Sequence, residues 1–167
     1  VSDYCREQAE RMGLECVQDE WNNIIIKKPA SPGYENGPTE MLQGHLDMVA
    51  EKLGTSSHDF LKDPLDLFVE DGWIGARDTT LGGDDGIAVA MALAILEDDT
   101  LAHPALECVF TTEEEVGMDG ARGLDMSGCR SRYLINLDSE EEGFLLASCA
   151  GGLRADLTLP VRRTEVT

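Results

Sequence analysis

The sequence predicts an α/β layered sheet, and three observations lead there. Short runs of β-branched and apolar residues recur along the chain, led by the three successive isoleucines Ile24, Ile25 and Ile26. A long apolar segment from residue 84 to 98 separates two groups of these runs and exceeds the usual strand length. Strands on either side of a long helix bury both element types by stacking in layers. At 167 residues with 42% apolar content, the chain has the length of one domain and the material for a core.

Each element has its own signal. Ser2 to Met12 reads as a short amphipathic helix with Ser2 as N-cap and Gly13 just past its end. Glu15 to Asp19 reads as a strand, and Asn23 to Lys28 as a stronger one. Pro29 to Pro38, with three prolines and two glycines, is a surface loop. Glu40 to Gly44 restarts as a short strand that runs directly into His45. Leu65 to Ala76 alternates around Asp71-Gly72, a hairpin dipeptide. Asp84 to Asp98 is apolar on most faces and is expected to be a buried helix. Ala105 to Thr111 and Arg132 to Leu137 are strands, and Gly143 to Cys149 is expected to form a hairpin arm with the segment from Gly152.

Charge excludes whole classes of partner. With 33 acidic against 13 basic residues, the formal charge of −20 repels phosphate backbones and anionic leaflets. Neither nucleic acid nor a membrane is an expected partner. No apolar run approaches the roughly 18 residues of a membrane span, and no signal peptide is expected. The first residue is Val1 rather than Met, so an upstream segment is expected to be missing. Cysteines 5, 16, 108, 129 and 149 are odd in number and form no C-x-x-C pair. They read as free, buried or half-buried thiols in a reducing cytoplasm.

Nine of the acids fall in three tight groups: Asp84-Asp85, Glu113-Glu114-Glu115, and Asp138 with Glu140, Glu141 and Glu142. Each group follows a strand or opens the long helix, and ligands of open α/β sheets bind at the carboxyl ends of strands. A charge run taken alone is usually a solvated face. Three such groups at strand ends need a cation among them to relieve their repulsion. His45-Leu46-Asp47 adds an imidazole, with a carboxylate two residues on that can fix its tautomer. A calcium loop beginning at Asp138 fails, because its twelfth position, which needs a bidentate Glu, is Cys149.

The segments LQGHLDMV (42–49), TTLGGDDG (79–86), TEEEVGMDGA (112–121) and INLDSEEEG (135–143), in this order, resemble the di-zinc peptidase family of carboxypeptidase G, peptidase T and the aminoacyl-histidine (Xaa-His) dipeptidases. HLDMV, EVGMDGA, DSEEEG and SCAGG (148–152) are most similar to the dipeptidase branch. The resemblance implies a three-layer sheet with flanking helices, incomplete at both ends. Residues 1–157 would be the N-terminal part of the catalytic domain, and 158–167 the start of a connection to a lid and dimerisation domain that makes the full-length protein a homodimer. His45 and Asp138 would ligate one zinc, with Asp84 bridging to a second held by Glu115. Glu114, counted back from Gly117, would be the general base acting on a bridging water, and Asp47 would orient His45. Co2+ or Mn2+ could substitute for Zn2+.

In such enzymes the peptide after Asp84 is cis, and a late His completes the second metal site. His58 and His103 do not match that ligand and are expected to be structural or surface residues. Asp138, where carboxypeptidase-like members carry Glu, favours the dipeptidase side. The expected activity is hydrolysis of Xaa-His dipeptides in the cytoplasm, with weak or single-site zinc binding and no turnover by this chain alone. The alternatives are a tripeptide aminopeptidase or N-acyl amino-acid deacylase of the same family, and a non-catalytic acidic metal-binding module.

Overall fold

A computed structural model describes residues 1–139, 141, 143–152 and 155–162. Five strands form a mixed sheet in the order β1 (Glu15–Gln18), β2 (Ile24–Lys28), β6 (Leu106–Thr111), β3 (Glu40–His45) and β7 (Tyr133–Asn136). β2 pairs antiparallel with both β1 and β6, whereas β3 pairs parallel with both β6 and β7. β4 (Leu67–Glu70) and β5 (Trp73–Ala76) form a separate hairpin. Its turn places Asp71 at φ 52° and Gly72 at φ 83°, the left-handed pair that the Asp-Gly dipeptide supplies.

Alternation divides the three isoleucines between two faces. Ile24 and Ile26 join Leu42, Cys108 and Phe110 in the main core, under helix α1 (Ser2–Met12) and helix α2 (Gly83–Glu97). Ile25 points the other way, with Met41 and Val109, toward Leu124 and Cys129. That second face is covered thinly among the described residues, by the single turn α3 (Asp119–Gly123) and the segment after it.

Several local expectations need correction. Ser2 is the first residue of α1 rather than its cap; its hydroxyl donates to the carbonyl of Asn22 at 2.7 Å, tying the helix to the β1–β2 turn. Gly13 does end the helix, in the left-handed conformation at φ 70°. Helix α2 is half-buried rather than buried. Asp85, Ala88, Val89, Ala92 and Leu96 face the sheet and α1, while Ile87 and Met91 are exposed because the described residues supply one packing surface only. Residues 143–152 form no strand: Leu145 is fully exposed, and no partner strand among the described residues takes up their backbone hydrogen bonds. Cys149 is exposed, unlike the other four thiols, and all five are free.

Two buried charges are satisfied by backbone. Lys28 donates to the carbonyls of Leu96 at 2.9 Å, Asp98 at 3.1 Å and Ile95 at 3.4 Å, placing a cation at the negative end of α2. Glu107 accepts from the amides of Arg130 and Ser131 and from the Ser131 hydroxyl, which fixes the entry to β7.

Candidate metal centre

Three parallel strands end at one edge of the sheet, and their register puts the acidic groups there. His45 pairs with Thr111, so the last residue of β3 stands beside the last residue of β6, two residues ahead of Glu113. β7 ends at Asn136, paired with Gln43, and delivers Asp138 to the same edge. Asp84 comes from the start of α2, where the backbone of Asp84 and Asp85 departs from helical geometry and the peptide between them is cis.

Gly44 makes this approach possible. A β-carbon there would lie 2.6 Å from Asp85 Oδ2 and 2.9 Å from the Ala88 methyl, so only glycine lets the helix sit this close to β3. Asp85, itself buried, accepts a hydrogen bond from the His45 amide at 3.1 Å. Its burial pushes the carboxyl up to about 6, against that hydrogen bond and with help from Asp138 and Asp84.

His45 is 1% exposed. Its Nδ1 lies 3.0 Å from the carbonyl oxygen of Asp47, which accepts only, so Nδ1 carries a proton. Its Nε2 faces Asp84 Oδ1 at 3.1 Å. A neutral imidazole would turn a lone pair toward a carboxylate; a proton or a metal ion between them resolves the conflict. Burial lowers the His45 pKa, but the hydrogen bond to Asp84 and the charges of Asp47, Asp138 and Asp85 outweigh it and raise the value.

The ligand atoms of His45, Asp84 and Asp138 lie within 4.8 Å of one another, and so do those of His45, Glu114 and Glu115. His45 is common to the two groups, and neither joins Asp84 to Glu115. The structure therefore brings together all six residues singled out in the sequence. Among the described residues none of the four clustered acids Asp84, Glu114, Glu115 and Asp138 pairs with a lysine or arginine. One imidazole among uncompensated carboxylates is a donor set suited to a divalent ion such as zinc. Desolvation, followed by the charges of Asp138, Glu115 and Asp47, raises the Glu114 carboxyl against the pull of His45.

Asp47 has a second set of contacts that its spacing from His45 did not suggest. Its carboxylate oxygens accept the amides of Glu114 and Glu115, each at 3.1 Å, while Nδ1 of His45 lies 3.5 Å from Oδ1. The carbonyl of Asp47 thus orients the ring, and its carboxylate holds the acidic loop. Asn23, a polar residue heading the isoleucine run, reaches the same loop: it accepts the Thr112 amide at 3.0 Å and donates to the Gly120 carbonyl at 2.9 Å, contacts the sequence did not suggest. His58 packs edge-on against Phe60, and His103 is buried with Nδ1 bonded to its neighbour Pro104 at 2.7 Å. Neither takes part in the two metal-ligand groups. Glu140 and Glu142 lie outside the described residues.

The profile of peptidase family M20/M25/M40 matches residues 41–148, which include every one of these six site residues. The chain belongs to this peptidase family. It is 43% identical over 166 residues to the cytosol non-specific dipeptidase of Escherichia coli K12, covering 99% of this chain and 34% of that protein. The crystal structure of an aminoacylhistidine dipeptidase from Vibrio alginolyticus superposes with a TM-score of 0.80 at 40% identity, over 85% of this chain and 29% of that one. The aminopeptidase PepT of Bacillus cereus is similar in structure, with a TM-score of 0.64 and 25% identity over 83% of this chain and 37% of that one. The chain thus spans about a third of the length of these relatives. The mixed α/β sheet with flanking helices is the fold it shares with them.

Proposed function

We propose that this chain supplies part of the active centre of a cytoplasmic, metal-dependent dipeptidase that cuts Xaa-His dipeptides. The observation that carries the reading is the convergence on buried His45 of Asp84 with Asp138 and of Glu114 with Glu115, at the carboxyl edge of the sheet. In this reading His45, Asp84 and Asp138 would hold one Zn2+, and Asp84 and Glu115 would contribute to a second. Two protein ligands fall short of the usual zinc complement of three or four, so the second site draws on residues outside this chain. When bound, the ions supply Lewis acidity to the scissile carbonyl and to the attacking water. Glu114 takes the proton of that water and passes it to the leaving amine. Asp47 holds the His45 ring and the loop that carries Glu114.

The names of the Escherichia coli and Vibrio alginolyticus relatives support dipeptides as substrates, and the first supports the cytosol as location. The charge of −20 argues against nucleic acid and anionic membranes as partners, and no helix among the described residues is long and apolar enough to cross a membrane. A lid domain joined through residues 158–167 would pair two copies into a homodimer. The likeness to the aminopeptidase PepT favours an aminopeptidase of the same family as the second reading.

The test is hydrolysis by the whole gene product of Xaa-His dipeptides, tripeptides and N-acetyl amino acids side by side. Xaa-His cleavage is expected to dominate; preference for tripeptides would move the assignment to an aminopeptidase. Glu114→Gln is expected to keep the metal and lower kcat by about 10²–10⁴-fold. Activity that survives this change would contradict the general-base role.

A further inference from the structure

We infer that Asn23, far from the acidic groups in sequence, is a positioning residue that clamps both ends of the loop carrying Glu114 and Glu115; the inference rests on the catalytic reading of that loop. Asn23 is 1% exposed at the head of β2. Its Oδ1 accepts the amide of Thr112 at 3.0 Å, and its Nδ2 donates to the carbonyl of Gly120 at 2.9 Å. One side-chain amide therefore grips the loop where it leaves β6 and again where it enters α3.

The orientation of that amide is forced. Nδ2 also donates to Asp19 Oδ2 at 2.8 Å, and a carboxylate can only accept. With Asp19 and the Gly120 carbonyl on one side and the Thr112 amide on the other, no flipped amide satisfies all three. Asp19 is itself held, because its Oδ1 accepts the amides of Trp21 and Asn23. The clamp thus stands on the β1–β2 turn, away from the site.

The loop needs such a hold. Glu113 at φ 57° and Met118 at φ 64° occupy the left-handed region without being glycine, and Gly117 lies at φ 140°. Residues persist there only when their surroundings over-determine them. Inside the loop, the Met118 amide bonds to the Glu113 carbonyl at 2.7 Å. From outside, Asp47 holds the middle through the Glu114 and Glu115 amides, and Asn23 closes the mouth. The mouth is tight: a β-carbon on Gly120 would meet the Thr112 carbonyl oxygen at 2.3 Å and Asn23 Oδ1 at 2.9 Å. Asn23 supplies a donor and an acceptor in one plane, which an aspartate at the same place cannot do.

The test substitutes Asn23→Asp, which keeps the shape and sets an acceptor against Asp19 and the Gly120 carbonyl. In this chain, amide hydrogen exchange at Glu114 and Glu115 is expected to speed up at least tenfold, with exchange at Ile26 and Cys108 unchanged. In the whole gene product, kcat is expected to fall at least tenfold with KM unchanged. Unchanged exchange at Glu114 and Glu115 would overturn the inference. So would equal acceleration at Ile26 and Cys108, which marks a general loosening of the sheet. Should Asn23→Asp not fold, the same exchange readings are taken on Asn23→Ser, which is smaller and uncharged. A wild-type gene product that cleaves no peptide would sink the functional reading, while the exchange comparison would still decide the clamp.

Discussion

At the scale of single residues, the site depends on close approaches that leave no room. Gly44→Ala would force a methyl group against Asp85 and Ala88. Overpacking of this kind costs about 1–3 kcal/mol, so the urea midpoint is expected to fall by that equivalent; an unchanged midpoint would mean that α2 can shift freely on β3. The buried thiols give a pH dependence. Burial raises Cys108 to about 12 and Cys5 to about 11, from an ordinary value of 9.0. Above pH 9 the unfolded chain loses these protons while the folded chain keeps them, so stability is expected to fall as pH rises from 9 toward 12. Thiol titration at about pH 8, just below the ordinary thiol pKa, is expected to label exposed Cys149 first and to reach Cys5 and Cys108 only on unfolding. The residues that gather around His45 at the sheet edge were legible because four motifs stood in order. Asn23 and the amide contacts of Asp47 were not, because a hydrogen bond between residues 89 or 67 positions apart leaves no mark on local spacing.

At the scale of elements, strands β1 to β7, helices α1 and α2 and the Asp-Gly hairpin were legible to within a residue or two, because β-branched runs, turn dipeptides and the length of an apolar run report backbone type locally. What failed needed tertiary information. The apolar composition of α2 says that it can be buried on every side, yet only a neighbour decides whether Ile87 and Met91 are covered. The apolar run after Gly143 makes a strand only where a partner takes up its hydrogen bonds. Lys28 illustrates the reverse case: nothing in its sequence context shows that it reaches the end of α2. Lys28→Met would leave the carbonyls of Ile95, Leu96 and Asp98 without their buried donor. A loss of about 1–3 kcal/mol is expected in denaturant unfolding, given the cost of leaving buried acceptors unmade. A neutral result would mean that water replaces the ammonium there.

At the scale of the whole molecule, the charge of −20 acquires a partial location. Asp84, Glu114, Glu115 and Asp138 gather around His45 with no lysine or arginine to balance them among the described residues. The chain spans about a third of the length of its relatives. The proposed second metal site would draw only Asp84 and Glu115 from it. The most direct test of the metal centre is therefore calorimetric titration of Zn2+ into this chain and into its His45→Ala variant. The wild-type chain is expected to bind zinc weakly or at a single site, and the variant to lose that binding. Two tight sites, no binding, or binding that survives the loss of His45 would contradict the account.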